Sequence, residues 1–365
     1  MTDEKGLNPS SVQHLWLTIR ASIKSGLSRI LPQLLAITIA FLIGAVVLIV
    51  TGYSPVDAYT TLAIGAFGDV YGIGQTLTQA TPIIFTALSF LFSYKCGLFN
   101  IGAEGQLILG GFGAALVGIS FQGLPAPIHI LLALLAGALA GGVWALIPAF
   151  LKTKLGAHEV ITTMMFSYIA TYLTGYMVNY PFKAPGWVAQ TVTIASSAQL
   201  PHILQPTQLS ASILIAVTLA AVSYYILQKT TLGYEVRASG LNQLAAEGVG
   251  INVKRAMVIA FVISGAMAGL GGAGEIMGVH NRFIEGFSPG YGWDGLAVAL
   301  VGGLNPVGIL LAAVLFGALR SGGMLMTRVT HVPLDIVIIL QSLVIIFVAA
   351  PTLIRFLMKL WRAKD

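Results

Sequence analysis

The chain has 365 residues, 56% of them hydrophobic and 9% charged, with a formal net charge of +6 and a mean hydropathy of +0.88. Soluble domains carry about 25% charged residues, so this composition excludes an ordinary soluble enzyme and describes a polytopic membrane protein. The single cysteine, Cys96, excludes an intrachain disulfide framework and any CxxC metal or redox site, and basic residues scattered between apolar segments exclude a nucleic-acid footprint in favour of topological signals.

Before the first apolar run, Val12, Leu15, Trp16, Ile19, Ile23 and Ile30 recur at helical spacings, with His14, Arg20, Lys24 and Arg29 largely off that stripe. Residues 1–31 therefore read as a cytoplasmic amphipathic helix lying in the membrane interface, with a poorly ordered tail as the alternative. The stretch is too polar for the core of a cleavable signal. Membrane spans need about 20 apolar residues, and runs of that kind fall at 33–51, 75–94, 104–121, 128–150, 159–179, 208–227, 256–276, 291–303, 306–320 and 334–350. This predicts an all-α fold of about ten transmembrane helices within a permease domain at 32–354, followed by a basic cytoplasmic tail at 355–365. The eighth and ninth runs are short, separated by Gly302-Gly303-Leu304-Asn305-Pro306, and read as half-helices or a tilted pair. With the N-terminus inside, 15 of the 19 Lys and Arg residues fall on the cytoplasmic side, and only Lys183, Arg282, Arg320 and Arg328 do not. That bias predicts an even number of spans with both termini cytoplasmic.

Two loops stand out. The extracytoplasmic loop at 180–207 holds Pro181, Pro185, Trp187, Pro201 and Pro206 with few charges, and reads as an ordered cap. The cytoplasmic loop at 228–255 is the longest polar stretch, and within it Asn242–Glu247 suits a short helix stopped by Gly248 and Gly250. Two Gly-rich polar breaks echo one another: GLFNIGAEGQ at 97–106 precedes LILGGFGAALVG, and GFSPGYGWDG at 286–295 precedes LAVALVGG. Breaks after spans of opposite sense are the pattern of an inverted repeat whose interrupted helices surround a substrate pathway.

Catalytic and nucleotide-binding motifs are missing: there is no GxxxxGK[ST], HExxH or GxSxG. Energy for transport must come from another chain or from an ion gradient. Coupled ions would need intramembrane carboxylates, and the candidates are Glu104, Glu159, Glu275, Asp294 and Asp335. Glu159 and Asp335 suit interfacial or helix N-terminal positions, and Glu275 reads as a hydrated group at the outer end of its span. Glu104 and Asp294 sit inside the two breaks, where they could satisfy freed backbone N–H groups or line a polar pathway. The run Gly265-Ala266-Met267-Ala268-Gly269 suits close helix packing.

The motifs GLFNIGAEGQLILGG, HEVITTMMFSYIA, GYEVRASGLNQLAAEGVGINVKR and SPGYGWDGLAVALVGG occur in this order. Together they closely resemble permease subunits of bacterial ATP-binding-cassette importers for nucleosides and simple sugars, a group related to the ribose and branched-chain amino acid permeases. The resemblance covers roughly residues 75–320. It implies a multi-pass protein of the bacterial cytoplasmic (inner) membrane that is not itself an enzyme. Its implied partners are a cassette ATPase subunit, a second, similar permease favouring a hetero pair, and an extracytoplasmic substrate-binding lipoprotein. This chain would bind no cofactor, and ATP and Mg would be used by the ATPase. It further implies that 237–250 is the coupling segment, with Arg237, Asn242, Ala245, Glu247 and Gly250 contacting or shaping the ATPase interface. The family's common Glu-Asn-Pro-Glu-Ala-Ala is replaced here by Gly240-Leu241-Asn242-Gln243-Leu244-Ala245-Ala246, without the proline or the first acids. Phe99, Asn100, Glu104, Gln106, Trp293 and Asp294 are the expected pathway residues, for nucleosides first and other simple sugars or branched-chain amino acids second. The competing class is a self-sufficient ion-coupled transporter using Glu104 or Asp294.

Overall fold

The computed structural model describes residues 35–349, so the expected interfacial helix at 1–31 and the basic tail at 355–365 lie outside the described residues. In lipid every backbone N–H and C=O must be paired within the protein, which makes helices the only open-chain way across. Among the described residues the elements are α1 (Leu35–Val50), α2 (Pro55–Phe67), α3 (Val70–Lys95), α4 (Ala103–Ser120), α5 (Ala126–Leu155) and α6 (Glu159–Asn179). They continue as α7 (Ser212–Lys229), α8 (Thr231–Leu241), α9 (Gln243–Gly248), α10 (Val253–Glu275), α11 (Tyr291–Val301), α12 (Pro306–Thr330) and α13 (Leu334–Ala349). A helix thus covers most of each of the ten expected apolar runs. Six of these helices, α3, α4, α5, α7, α10 with its terminal turn, and α12, are long and apolar enough to cross a membrane.

Two expectations are corrected. The apolar run at 306–320 does not end at Arg320, because α12 continues to Thr330; an arginine stays in the helix when it finds an anion across the fold. Residues 208–211 precede α7, with Leu209–Ser210 forming β2 against β1 (His202–Leu204).

Helix starts follow side-chain capping. Asp69 accepts from Gly72 N (2.6 Å) at α3, Asn252 from Arg255 N (3.0 Å) at α10, and Asn305 from Val307 N (2.9 Å) at α12. The chain divides into two compact units, one holding α1 and the residues from Ile338 onward, the other Val56–Val337. In the larger unit α10 packs on α3, α4 and α5. A Cβ on Gly269 would fall against the Gly137 carbonyl oxygen, and one on Gly110 against the backbone of Gly269. The small-residue run at 265–269 therefore brings three helices to backbone contact, where dispersion replaces side-chain volume. The segment 180–207 is tied down by backbone bonds: Thr191 N donates to Phe283 O (2.9 Å), Ala195 N to Gly118 O (2.9 Å), and Leu200 N to Met277 O (2.8 Å).

Candidate functional site

The first break leaves α3 at Lys95 and re-enters helix at Ala103, so the orphan N–H groups of α4 need partners. Asn100, 1% exposed, supplies one, its Oδ1 accepting from Gly102 N (2.9 Å). Thr163 Oγ1 on α6 accepts from Ile101 N (3.1 Å), and Ser167 Oγ accepts from Gly105 N (3.3 Å). The Asn100 and Gln106 amides pair reciprocally at 3.0 and 3.3 Å, and Asn100 Nδ2 also donates to Ser264 Oγ (2.8 Å), which donates onward to Ser89 O. Ser167 lies eight residues into α6, about 12 Å along a helix about 30 Å long. The start of α4 therefore packs against the body of α6 rather than at its end.

The second break ends the same way. Gly290 takes φ +97°, a left-handed conformation costly for residues with a Cβ, and α11 begins one residue later. Ser288 Oγ accepts from Tyr291 N (3.2 Å). The two helix N-termini meet: Glu104 Oε2, in the first turn of α4, accepts from Gly292 N (2.6 Å), in the first turn of α11. A Cβ on Gly292 would lie 2.5 Å from Glu104 Cα and 2.7 Å from its Cβ, so only glycine fits. Asp294 occupies the first turn of α11 as Glu104 does that of α4. Each acid sits at the positive end of a helix dipole, where anions are favoured. Arg320 of α12 pairs with Asp294 at 2.7 Å, donates to Pro289 O (3.2 Å) and lies 5.1 Å above the Tyr291 ring centroid. Tyr291 Oη in turn donates to Gln79 Oε1 (3.0 Å) on α3.

Two cavities flank this junction. One, of about 370 Å³, is lined by Glu104, Tyr168, Tyr172, Glu285, Ser288 and Trp293 among others. The other, of about 490 Å³, is lined by Asp69, Tyr71, Gln75, Gln79, Gln208 and Arg328 among others. The six expected pathway residues divide. Glu104 and Trp293 share the first cavity, whereas Asp294 lines neither cavity and pairs with Arg320. Asn100 and Gln106 are buried in the amide network, and Phe99 stacks edge-on against Phe90 (centroids 4.9 Å apart). Sequence reasoning missed Gln79, Arg320, Tyr168 and Tyr172; for the tyrosines the four-residue spacing was the available signal. Glu275 is corrected: it is 3% exposed rather than hydrated, because the π-helical turn Ile276–His280 carries the chain over it and sets His280 Nε2 3.8 Å away. Glu159 pairs with Lys152 at 2.7 Å.

Far along the chain, 228–255 forms two helices where one was expected. Asn242 caps α9, accepting from Ala245 N (3.1 Å), and Gly250 (φ +88°) closes it by donating to Glu247 O (2.9 Å). Arg237 lies on α8, its Nε donating to Gly233 O (3.3 Å). Ala245 and Glu247 are exposed, beside Leu241, Leu244 and Val249, which are 88%, 82% and 72% exposed. So much bare aliphatic surface across the end of α8, α9 and the residue after it is the kind of patch that marks an interaction site. At the same end of α8, a Cβ on Gly240 would abut the Lys95 carbonyl oxygen and stand 2.8 Å from Gly97 N. The exposed helix and the first break are therefore in backbone contact.

Residues 72–349 match the family described as the permease component of the branched-chain amino acid transport system. The chain belongs to this permease family. The permease is 40% identical to the guanosine ABC transporter permease protein NupP of Bacillus subtilis, over 91% of its own length and 96% of the relative's. It is 36% identical to the nucleoside ABC transporter permease protein NupB of Lactococcus lactis (90% and 93% covered), and 35% identical to the glucose ABC transporter permease protein TsgB13 of Haloferax volcanii (86% and 85%). The same Bacillus has a second guanosine permease protein, NupQ, 33% identical to this chain over 68% of it and 80% of NupQ. The permease is a transport component of an ABC system and not an enzyme.

Proposed function

We propose that this permease forms part of the translocation path for nucleosides in an ABC importer of a bacterial cytoplasmic membrane. ATP hydrolysis is supplied by a separate cassette ATPase, and substrate is delivered by an extracytoplasmic lipoprotein. The observation that carries the reading is the physical link between an exposed apolar helix and a broken-helix junction. Leu241, Leu244 and Val249 surround Ala245 and Glu247 on α8–α9, and α8 abuts the start of the first break at Gly240. A cassette ATPase gripping α9, with Arg237, Asn242, Ala245, Glu247 and Gly250 shaping the grip, would move the chain that leads to Glu104. Glu104 is bonded to Gly292, so motion at one break reaches the other. Phe99, Asn100, Glu104, Gln106, Trp293 and Asp294 then divide the labour, Glu104 and Trp293 facing the path while the others hold the break in shape.

Nucleosides are favoured by the names of NupP and NupB. The pairing of NupP with NupQ in one bacterium supports a second, similar permease as the partner. Both termini lie in the cytoplasm on this reading, and 180–207 faces outward to receive the loaded lipoprotein. Co-purification of the permease with its partners, followed by binding assays of the lipoprotein against nucleosides, sugars and amino acids, tests it. Nucleoside binding is expected, and a lipoprotein that takes only glucose or branched-chain amino acids would overturn the substrate.

A further inference from the structure

Helix α6 has 21 residues, enough to cross a membrane, yet it is not among the helices apolar enough to do so. The reason lies on its outward face. Tyr168, Tyr172 and Tyr176, with Tyr180 at the C-cap, recur every fourth residue and are 47%, 76%, 58% and 71% exposed. Four residues advance a helix about 6 Å and turn it by about 40° past a full revolution, so these rings form a ladder that winds about a third of the way round the helix. The last two rungs already pack, with centroids 5.0 Å apart. None of the four hydroxyls has a hydrogen-bond partner among the described residues.

A lipid-facing helix looks different. The outward residues of α5 include Ile128, Leu131, Leu135, Leu139, Val143, Ile147 and Phe150, apolar throughout and without a hydroxyl. Tyrosine belongs at membrane interfaces, where its hydroxyl is wet, but Tyr168 and Tyr172 lie about 14 and 20 Å along a helix about 30 Å long. Ile161, Met165 and Ile169 share this face and are 60%, 47% and 47% exposed, but an unpaired hydroxyl in hydrocarbon is costly, and Tyr168 and Tyr172 open onto a polar cavity. At the foot of the ladder, Tyr168 and Tyr172 wall the cavity of about 370 Å³ that also contains Glu104, Glu285, Thr171 and Trp293. That volume falls in the range of small-molecule sites, with aromatic faces on one side and carboxylates and a hydroxyl on another.

We propose that Tyr168, Tyr172, Tyr176 and Tyr180 are the rungs on which the base of a nucleoside stacks during transit, with Glu104 beside the lower rungs and Glu285, which holds Asn179 near the upper ones, accepting from the ribose hydroxyls. This rests on the reading of the permease as a nucleoside path and adds the residues that recognise the base. Stacking tolerates every base because each has a π-face, which suits a path whose selectivity lies in a separate binding protein. Base motion would proceed from rung to rung.

The test is guanosine uptake by vesicles holding the complete transporter, with Tyr168→Leu and Tyr172→Leu against Tyr172→Phe. Loss of one rung is expected to slow uptake about 10-fold, with the second permease and ATPase still co-purifying, while Tyr172→Phe keeps the wild-type rate. Wild-type uptake by both Leu variants would overturn the ladder. So would equal loss in the Phe and Leu variants, which would assign the effect to the hydroxyl, or loss of the second permease from the Leu variants, which would make this a packing face. If the wild-type transporter moves glucose but no nucleoside, the reading beneath the ladder fails instead.

Discussion

Replacing Glu104 probes the junction most directly. Its carboxylate, 8% exposed, accepts from Gly292 N at 2.6 Å and so ties the start of α4 to the start of α11. A hydrogen bond to a charged group contributes about 1.5–3 kcal/mol, and an orphaned buried N–H costs about 1–3 kcal/mol. Glu104→Ala removes the acceptor and strands the Gly292 N–H, for a loss of about 2–3 kcal/mol. Glu104→Gln keeps an oxygen in place and gives up only the charge, for a loss of about 1 kcal/mol. At an unfolding entropy of about 2.1 cal/mol/K per residue, each kcal/mol moves the midpoint of a 365-residue chain by about 1.3 °C. The alanine variant should therefore unfold roughly 3–4 °C lower in detergent and the glutamine variant roughly 1 °C lower, with uptake falling in the same order. An alanine variant with the wild-type midpoint and wild-type uptake would refute both the structural tie and the place of Glu104 in the path.

Three further outcomes follow from other parts of the fold. Glu247→Arg combined with Gly250→Val, which puts a β-branched residue at φ +88°, should leave the permease inserted but abolish substrate stimulation of the ATPase; normal stimulation would remove 237–250 from the coupling interface. Gly240→Val would drive a side chain into the Lys95–Gly97 backbone, and should separate ATP hydrolysis from uptake while α9 still binds the ATPase. Unchanged uptake would break the proposed relay. Cys96 is buried beside this contact, and burial pushes its thiol up to about 12. At pH 8 the reactive thiolate is therefore scarce, so maleimide should label the folded permease slowly and the SDS-denatured chain at once. Equal labelling rates would show that the first break is open to water.

Helical spans are legible in this sequence because lipid forces the backbone into helices and the apolar runs end at polar caps such as Asp69 and Asn305. The two breaks are legible too, as glycine and polar residues set where apolar residues would otherwise run on. That the breaks touch is not, since the bond from Gly292 to Glu104 joins residues far apart in the chain, and no local pattern reports it. The same holds for Asp294, whose partner Arg320 lies on α12 and reads from sequence as the end of a span. Asn100 and Gln106 look like pathway residues until each is found to be the other's partner. Glu275 reads as hydrated because the sequence marks a helix end there, whereas a π-helical turn extends the chain and closes over it. The tyrosines of α6 escape notice because a hydropathy run hides which face a residue occupies.

The central claim is that this chain is one component of an ATP-driven nucleoside path and does not couple to ions through Glu104 or Asp294. The deciding measurement is guanosine uptake into sealed vesicles. In one set the permease is reconstituted with its ATPase, second permease and lipoprotein; in the other it is alone under a proton or sodium gradient without ATP. The account predicts ATP-dependent accumulation in the first set and none in the second. Gradient-driven accumulation by the single chain without ATP would contradict it.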